Sequence, residues 1–223
     1  MAITIGNKTE SNQNPNGSSQ TLAHNMSTGS DGTLMVVVTM SSQNSRNFTG
    51  ATYNNVAMTL LKNQLYSGLI QRTAVYILQN PSTGSNNFVV NFNGSQFNST
   101  SIFACSFTGA GAGGANLNNG ASTAPNSQSL TIEENSIIYA HGVSDNVQSA
   151  YSIGGSPRTL EFTHNSSKQV GGALSLTGLM AGATNVTTDA ITGTITNLRV
   201  EILASGGGPP PPPLGGGRRI IIT

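Results

Sequence analysis

The chain has 223 residues, of which nine are basic, eight are acidic and only 8% in total are charged. Typical globular proteins carry roughly 25% charged residues, so most of this polar surface must consist of Asn, Ser, Thr, Gln and Gly. The net charge of +1 argues against a nucleic-acid-binding surface and against electrostatic attachment to a membrane, because both need a basic patch.

Small polar residues disfavour helices and favour turns and strands, so the chain is predicted to be all-β. The apolar run Thr33–Met40 is the strongest predicted strand, and its continuity indicates burial on both faces or at a sheet centre. Two alternating runs flank Asn54-Asn55, which predicts a hairpin with a two-residue type I′ turn, since Asn tolerates positive φ. The remaining predicted strands are Ala2–Ile5, Leu22–Met26, Leu69–Leu78, Phe88–Phe92, Ile102–Phe107, Leu130–Ile132, Ile137–Val143, Arg158–Thr163, Ala173–Leu176 and Ala190–Leu203.

The number and spacing of these strands, roughly ten to twelve, predict a jelly-roll-like β-sandwich of two antiparallel sheets. Residues 1–30 are predicted to form a short strand and an extended arm, residues 31–205 the sandwich body, and residues 206–223 an extended Pro/Gly-rich C-terminal tail. Residues 108–127, which contain GAGAGGANLNNG, are predicted to form a long loop. No clear internal repeat is visible in the sequence.

The cellular setting is predicted from the cysteine content and from the apolar segments. A single cysteine, Cys105, excludes an intrachain disulfide, and its apolar neighbours predict a buried, inert thiol. The N-terminus shows no apolar signal segment, and there is no apolar run of about eighteen residues. We therefore expect assembly in a cytoplasm. A nearly uncharged polar surface also suits exposure outside the cell. A virus particle is assembled in a cytoplasm and later exposed outside the cell, so a virion protein fits both expectations.

Residues 32–107 carry four motifs in order: GTLMVVVTM, GATYNNVAMTLL, TAVYILQNPSTGSNNFVVNF and SIFACSFTG. This order resembles a β-sandwich module frequent in virion proteins of tailed bacteriophages and in bacterial exported proteins, and the closing ITNLRVEIL resembles the last strand of that module. The resemblance carries no catalytic motif. It implies a non-enzymatic virion structural protein, a capsid decoration or fibre-type subunit that contacts other virion proteins and copies of itself.

Residues that could carry chemistry are scattered along the chain. The three histidines, His24, His141 and His164, lack metal-ligand spacing, and no second cysteine can complete a site. Glu133-Glu134 is the one adjacent acidic pair in the sequence, and neighbours on a strand face opposite sides instead of converging on one cleft. The sequence therefore predicts no enzyme, no metal and no cofactor.

Carbohydrate binding is the alternative function. Sugar-binding sandwiches commonly stack the sugar on Trp or Tyr, and this chain has no Trp and five Tyr. Three of these tyrosines lie in predicted strands, whereas Tyr66 and Tyr151 lie near predicted loops and are the candidate glycan contacts. In this alternative the protein is an adhesin that contacts host or environmental glycans.

The tail GGGPPPPPLGGGRRIIIT is predicted to attach the protein to an assembly. Pro209–Pro213 predicts a stiff polyproline rod about 15 Å long, at about 3.1 Å per residue, between two flexible glycine joints. The two arginines can pair with carboxylates, and the isoleucines can add as a strand to a sheet edge, on a neighbour or on the protein's own body. The candidate docking residues are Arg218, Arg219, Ile220, Ile221 and Ile222.

Overall fold

The described part of the chain is built of β-strands. The computed structural model describes residues 3–13, 17–27, 32–41, 47–66, 71–94, 99–111, 120–123, 127–144, 151–153, 155–158, 161–165, 169–174, 182–188 and 194–204. Within these ranges there are eighteen strands and no helix, so the all-β prediction is confirmed. The strands are β1 (Thr4–Gln13), β2 (Ser19–Met26), β3 (Gly32–Ser41), β4 (Phe48–Tyr53), β5 (Val56–Ala57), β6 (Thr59–Tyr66), β7 (Gln71–Gln79), β8 (Gly84–Phe92), β9 (Ser99–Thr108), β10 (Gly120–Thr123), β11 (Ser127–Ile132), β12 (Ile137–Ser144), β13 (Tyr151–Ile153), β14 (Ser156–Arg158), β15 (Phe162–Asn165), β16 (Gln169–Leu174), β17 (Gly182–Thr188) and β18 (Thr194–Ile202).

These strands pair antiparallel in four sheets. Sheet 1 has the order β1-β9-β3-β7-β6, and sheet 2 has the order β2-β8-β4-β5. Sheet 3 has the order β10-β18-β12-β16-β15, and sheet 4 has the order β11-β17-β13-β14. Sheets 1 and 2 belong to a first half (residues 3–111), and sheets 3 and 4 belong to a second half (residues 120–204).

The second half repeats the strand order of the first. Adding nine to each strand number of sheet 1 gives sheet 3, and adding nine to each strand number of sheet 2 gives sheet 4. Because strand order is independent of side-chain identity, this match identifies an internal repeat that the sequence patterns did not show.

Local geometry supports the repeat at two turns. In the first half, Asn54 and Asn55 have φ of 49° and 64° between paired Tyr53 and Val56, which confirms the predicted type I′ hairpin. In the second half, Gly155, with φ of 75°, lies in the equivalent hairpin, where Ile153 pairs with Ser156. Both hairpins join the fourth and fifth strands of their half.

The strand that precedes each central strand also matches. β2 begins Ser19-Gln-Thr-Leu22 and β11 begins Ser127-Gln-Ser-Leu130. Each ends opposite a glycine with positive φ that begins the eighth strand of its half: Met26 lies opposite Gly84 in β8, and Ile132 lies opposite Gly182 in β17. These equivalences cover both outer sheets.

The central strand of sheet 1, β3, is buried on both faces. Side chains alternate along β3, so that Leu34 and Val36 face sheet 2 while Met35 and Val37 join a cluster with sheet 3. The predicted double burial of this run is therefore confirmed. The core between sheets 1 and 2 contains five aromatic side chains, Phe48, Tyr53, Tyr76, Phe88 and Phe92.

In sheet 3, the described side chains of β12 and β18 are buried on both faces as well. Tyr139 belongs to the cluster with sheet 1, and the opposite face carries the buried residues Ile138, Arg199 and Glu201. The Glu201 Oε1 atom accepts a hydrogen bond of 2.7 Å from the backbone N–H of Glu133, which directly follows β11 of sheet 4. This bond connects the face of sheet 3 opposite the inter-half contact to the segment that follows β11 of sheet 4.

The structure can be compared with the sequence predictions in three places. The first half has two antiparallel sheets, as predicted, and the second half forms a further pair. Most of the predicted arm forms strands, since β1 pairs with β9 and β2 pairs with β8. β1 is a strand in spite of its polar sequence, and it lies at the edge of its sheet. β10 falls inside the predicted loop 108–127 and pairs with β18. The predicted tail, residues 206–223, lies outside the described residues.

Candidate functional site

The two halves meet where sheet 1 packs against sheet 3, and we name this contact the inter-half face. It fixes one half against the other and is the candidate functional site. Sheet 1 contributes Met35, Val37, Val75, Ile77, Phe103, Cys105 and Phe107, sheet 3 contributes Ile137, Tyr139, Val143, Leu198, Val200 and Ile202, and flanking segments add Ile3, Ala110 and Ala204. All of these side chains are buried.

An aromatic stack lies in the apolar part of this face. The rings of Phe103, from β9, and Tyr139, from β12, are 5.5 Å apart between centroids and only 9° from parallel. Such pairs add about 0.5–1.5 kcal/mol beyond the burial of their area. The stack therefore connects β9 of the first half to β12 of the second half.

A buried polar network crosses the same face. The His141 Nε2 atom lies 2.8 Å from Thr39 Oγ1, and His141 Nδ1 lies 3.0 Å from the Tyr139 hydroxyl. Thr39 Oγ1 also lies 2.8 Å from Thr73 Oγ1. A neutral imidazole donates from one ring nitrogen and accepts at the other, so both nitrogens are satisfied. Because buried polar groups must find partners, this network favours a single alignment of the halves.

The network requires His141 to be uncharged. Burial between the sheets lowers the pKa of His141 to about 3, because desolvation disfavours the imidazolium form. At neutral pH this side chain is therefore a hydrogen-bonding group in the inter-half face and carries no charge.

The thiol of Cys105 lies in the same face. Burial raises the pKa of Cys105 to about 12, because the thiolate would lose its hydration. The predicted buried cysteine is confirmed, and its thiol becomes accessible to reagents only when the two halves separate or unfold.

Two contacts lie at the rim of the inter-half face. Ala110 pairs with Ala204 in an antiparallel bridge, and the Gly111 N–H donates a 2.8 Å hydrogen bond to the Leu203 carbonyl. At a sheet edge, Lys8 of β1 forms an ion pair with Glu161, which precedes β15. Both contacts join the first half to the second.

Two large apolar side chains of the described residues are exposed, and they lie away from this face. Val56, in β5, is 50% exposed, and Leu60, in β6, is 45% exposed. Next to them the hairpin is fixed by a 3.1 Å hydrogen bond from Asn54 Nδ2 to Ser82 Oγ. Isolated exposed hydrophobic residues are common on soluble proteins, so we assign no site here.

The structure separates the two candidate glycan contacts. Tyr66 ends β6, the edge strand of sheet 1, where its backbone pairs with Gln71. Tyr151 begins β13 in sheet 4, where its backbone pairs with Arg158 and Thr188. The backbones of the two tyrosines therefore lie in different sheets of different halves.

The three histidines are also separated. His24 is buried in the first half, where its Nδ1 lies 2.9 Å from Thr9 Oγ1, and burial lowers its pKa. His141 lies in the inter-half face, and His164 lies in β15 opposite Val170. Across the part of the chain that the structure describes, no three His, Cys, Asp or Glu side chains are grouped as a metal site would require.

The candidate docking residues of the tail, Arg218, Arg219, Ile220, Ile221 and Ile222, lie outside the described residues. None of the described residues belongs to a helix with the length and apolarity needed to cross a bilayer. The chain matches no protein-family model, no curated protein and no solved structure.

Sequence reasoning missed the inter-half face. Thr39 and His141 are 102 positions apart, and no local pattern indicates that they meet. A usable signal was His141 itself, a titratable residue in the middle of the apolar run Ile137–Val143. A polar residue inside a predicted buried strand requires a partner on the facing sheet.

Proposed function

We propose that the protein is a non-enzymatic structural subunit of a tailed-bacteriophage virion, either a capsid decoration or a fibre-type protein, anchored through residues 206–223. The observation that carries the proposal is the stacking of two repeated sandwiches through a fully buried face. This arrangement gives a rigid building block. The motifs of residues 32–107, which resemble a module of phage virion proteins, support the assignment to a virion.

The finer part of the proposal is that each half is a jelly roll. β5 and β6 are separated by Met58 alone, so they count as one strand that passes from sheet 2 to sheet 1. With this count the first half has eight strands, in the sheet orders 1-8-3-6-5 and 2-7-4-5. Two sheets of this kind are typical of jelly rolls, an architecture of viral capsid and lectin domains. The sheet orders of the second half match those of the first strand for strand, which supports the same assignment.

The state of the reactive side chains supports a structural role. His141 and Cys105 are buried and held in their neutral forms by desolvation. Both serve the packing of the two halves, so their placement is explained without a substrate. A subunit of this kind functions through its surface, and its partners would be capsid or tail proteins and copies of itself.

The tail supplies the attachment in this proposal. The rod Pro209–Pro213 sets its reach, and Arg218 and Arg219 pair with carboxylates of the neighbouring subunit. The β-branched residues Ile220–Ile222 add to an open sheet edge of that neighbour. The protein would then be located in the virion after assembly in the host cytoplasm.

A truncation tests this proposal. We expect a chain that ends at Ser205 to keep the melting temperature of the full chain but to be missing from particles assembled with the other virion proteins of the same virus. The double change Arg218→Ala with Arg219→Ala should reduce incorporation, whereas Lys62→Ala, a basic surface residue of β6, should not. Incorporation of the truncated chain at the level of the full chain would refute anchoring through the tail.

A glycan array with the chain that ends at Ser205 distinguishes the alternative. Reproducible glycan binding that is lost in Tyr66→Ala or Tyr151→Ala would favour the adhesin. Absence of binding, together with loss of particle incorporation on truncation, is the pair of results that the virion proposal predicts.

A further inference from the structure

The inter-half face joins two surfaces that are equivalent in the internal repeat. The central strands β3 and β9 of sheet 1 correspond to β12 and β18 of sheet 3. In the first half Met35 lies opposite Cys105, and in the second half Tyr139 lies opposite Val200. All four side chains point into the face. One surface therefore meets its own counterpart, as in the isologous interfaces of symmetric dimers.

The Ala110–Ala204 bridge shows the symmetry of this contact. Each alanine lies two residues beyond the end of the last strand of its half, Thr108 in β9 and Ile202 in β18. The two equivalent segments pair antiparallel. A two-fold axis perpendicular to two segments exchanges them and reverses their direction, so the antiparallel pairing of these equivalent segments agrees with such an axis.

The edges of the two sheets agree with this symmetry. Lys8 lies on β1, the edge strand formed by the first strand of the first half, and Glu161 lies beside β15, the opposite edge strand of sheet 3. Stacking by translation would bring β1 over β10, the first strand of the second half. Stacking by a two-fold rotation about an axis parallel to the strands brings β1 over β15, and the ion pair between Lys8 and Glu161 agrees with that arrangement.

The composition of the face is that of a permanent interface. Its apolar side chains are fully buried, and its polar groups Thr39, Thr73 and His141 are hydrogen-bonded. Obligate homodimer interfaces resemble a domain core cut in two. In contrast, contacts between independent domains of one chain are commonly smaller and more polar.

We infer that the inter-half face is a self-complementary pairing surface, and that the chain is a fused dimer whose two halves remain paired without their covalent connection. The partner that such a surface fits is a second copy of the same module, which here is supplied by the same chain. This inference does not depend on the proposed place in a virion.

Cutting the connection between the halves in the folded, full-length protein tests the inference. A recognition site for a specific protease is inserted between Gly113 and Gly114, and in a second variant between Leu117 and Asn118, so that at least one insertion lies where the fold accepts it. The uncut protein must melt as the wild type does before it is used. After cleavage, size-exclusion chromatography with light scattering gives the mass, and labelling of Cys105 by a thiol reagent reports access to the face.

The expected result is one species at the mass of the uncut chain that contains both fragments, with Cys105 labelled as slowly as in the uncut protein. Separate elution of the fragments at micromolar concentration would overturn the inference. Labelling of Cys105 in the cut protein at the rate of the urea-unfolded chain would also overturn it.

Two matched variants show whether the pairing energy resides in this face. Phe103→Ala removes a ring from the inter-half face, and Phe88→Ala removes a ring of the same size from the core between sheets 1 and 2. In the cut protein Phe103→Ala should weaken association of the fragments by about a hundredfold or more on dilution, whereas Phe88→Ala should lower the melting temperature with little change in association. Equal effects of the two changes on association would contradict the inference.

Discussion

The first and second halves of the molecule share a strand order but differ in the described side chains that they bury away from the inter-half face. The core of the first half, between sheets 1 and 2, is apolar and rich in aromatic rings, among them Phe88 and Tyr76. In the second half, the described residues of β18 bury Arg199 and Glu201 on the face of sheet 3 opposite the inter-half face, and Arg199 pairs with the small residue Ala140. The strand order is therefore preserved, while the chemistry of these described buried residues differs.

This difference has an energetic consequence. A ring-filled core gains stability in proportion to the apolar area that it removes from water. Buried charges lose their hydration, so they must be compensated by neighbouring groups of opposite charge and by hydrogen bonds. The Glu133 N–H bond to Glu201 is one such compensation. The second half should accordingly be more sensitive to loss of a single polar partner.

The largest expected effect is that of Arg199→Ala. The change removes a fully buried side chain and its positive charge, two positions from Glu201 on the same face of β18. Breaking such an arrangement destabilises proteins by about 3–5 kcal/mol. Arg72→Ala is the control in the first half, where Arg72 is partly buried and donates to Asn63, and it should cost about 1 kcal/mol. Urea unfolding measures both, and equal losses would contradict the contrast between the cores.

Acidification should loosen the boundary between the halves. The folded pKa of His141, about 3, lies below its ordinary value of 6.5, so between these values the unfolded chain binds more protons than the folded one. The contribution of neutral His141 to the free energy of unfolding is therefore fully present above pH 6.5. It is lost as the pH decreases toward 3, by about 3 kcal/mol between pH 6.5 and 4.

A variant assigns this pH dependence to the inter-half face. His141→Gln keeps hydrogen-bonding capacity but does not titrate, so the free energy of unfolding should become much less dependent on pH. His24→Gln is the control in the first half, where burial also lowers the histidine pKa. A pH profile of His141→Gln that overlays the wild type would show that the face does not carry the effect.

The β4–β5 and β13–β14 hairpins test whether the two halves are structurally equivalent, and the expected change in stability is smaller. Gly155→Ala should cost about 1–2 kcal/mol, because Gly155 has φ of 75° and an alanine is strained in that region. Asn55→Gly, at the equivalent turn, should change the melting temperature little, since glycine adopts positive φ freely. Differential scanning calorimetry compares the two, and a neutral Gly155→Ala would show that the second hairpin is not built like the first.

The smallest change in stability is expected at the rim of the inter-half face. Lys8→Ala removes the ion pair with Glu161 between the edges of sheets 1 and 3. Exposed pairs contribute less than about 1 kcal/mol and weaken with salt. Thermal melts at low and high salt should therefore differ between wild type and variant only at low salt, and a salt-independent loss of several degrees would assign Lys8 a larger role.

The sequence predicted the elements whose signals are local. The run Thr33–Met40 had no polar interruption other than its threonines, and Asn54-Asn55 supplied two positive-φ residues. Edge strand β1 was largely missed because its residues are polar on both sides.

The internal repeat and the inter-half face could not be predicted in the same way. The repeat places Tyr53 where the second half has Ile153, and Asn55 where it has Gly155, so equivalent positions share geometry but few residue types. The inter-half face depends on contacts between residues about a hundred positions apart, such as Thr39 and His141, which periodicity within a strand does not encode.

The pairing of equivalent segments by the two halves is tested most directly at Ala110 and Ala204. These residues are antiparallel partners, and such Cα atoms lie about 4.5–5.5 Å apart, within the range that a disulfide spans. In a chain with Cys105→Ala, Ala110→Cys and Ala204→Cys, we predict one intrachain disulfide, seen by mass spectrometry as two linked peptides and no free thiol. The control combines Ala110→Cys with Ala57→Cys on the exposed strand β5 and should remain unlinked. Two free thiols in the folded Ala110→Cys, Ala204→Cys protein under oxidising conditions would contradict the paired-repeat architecture.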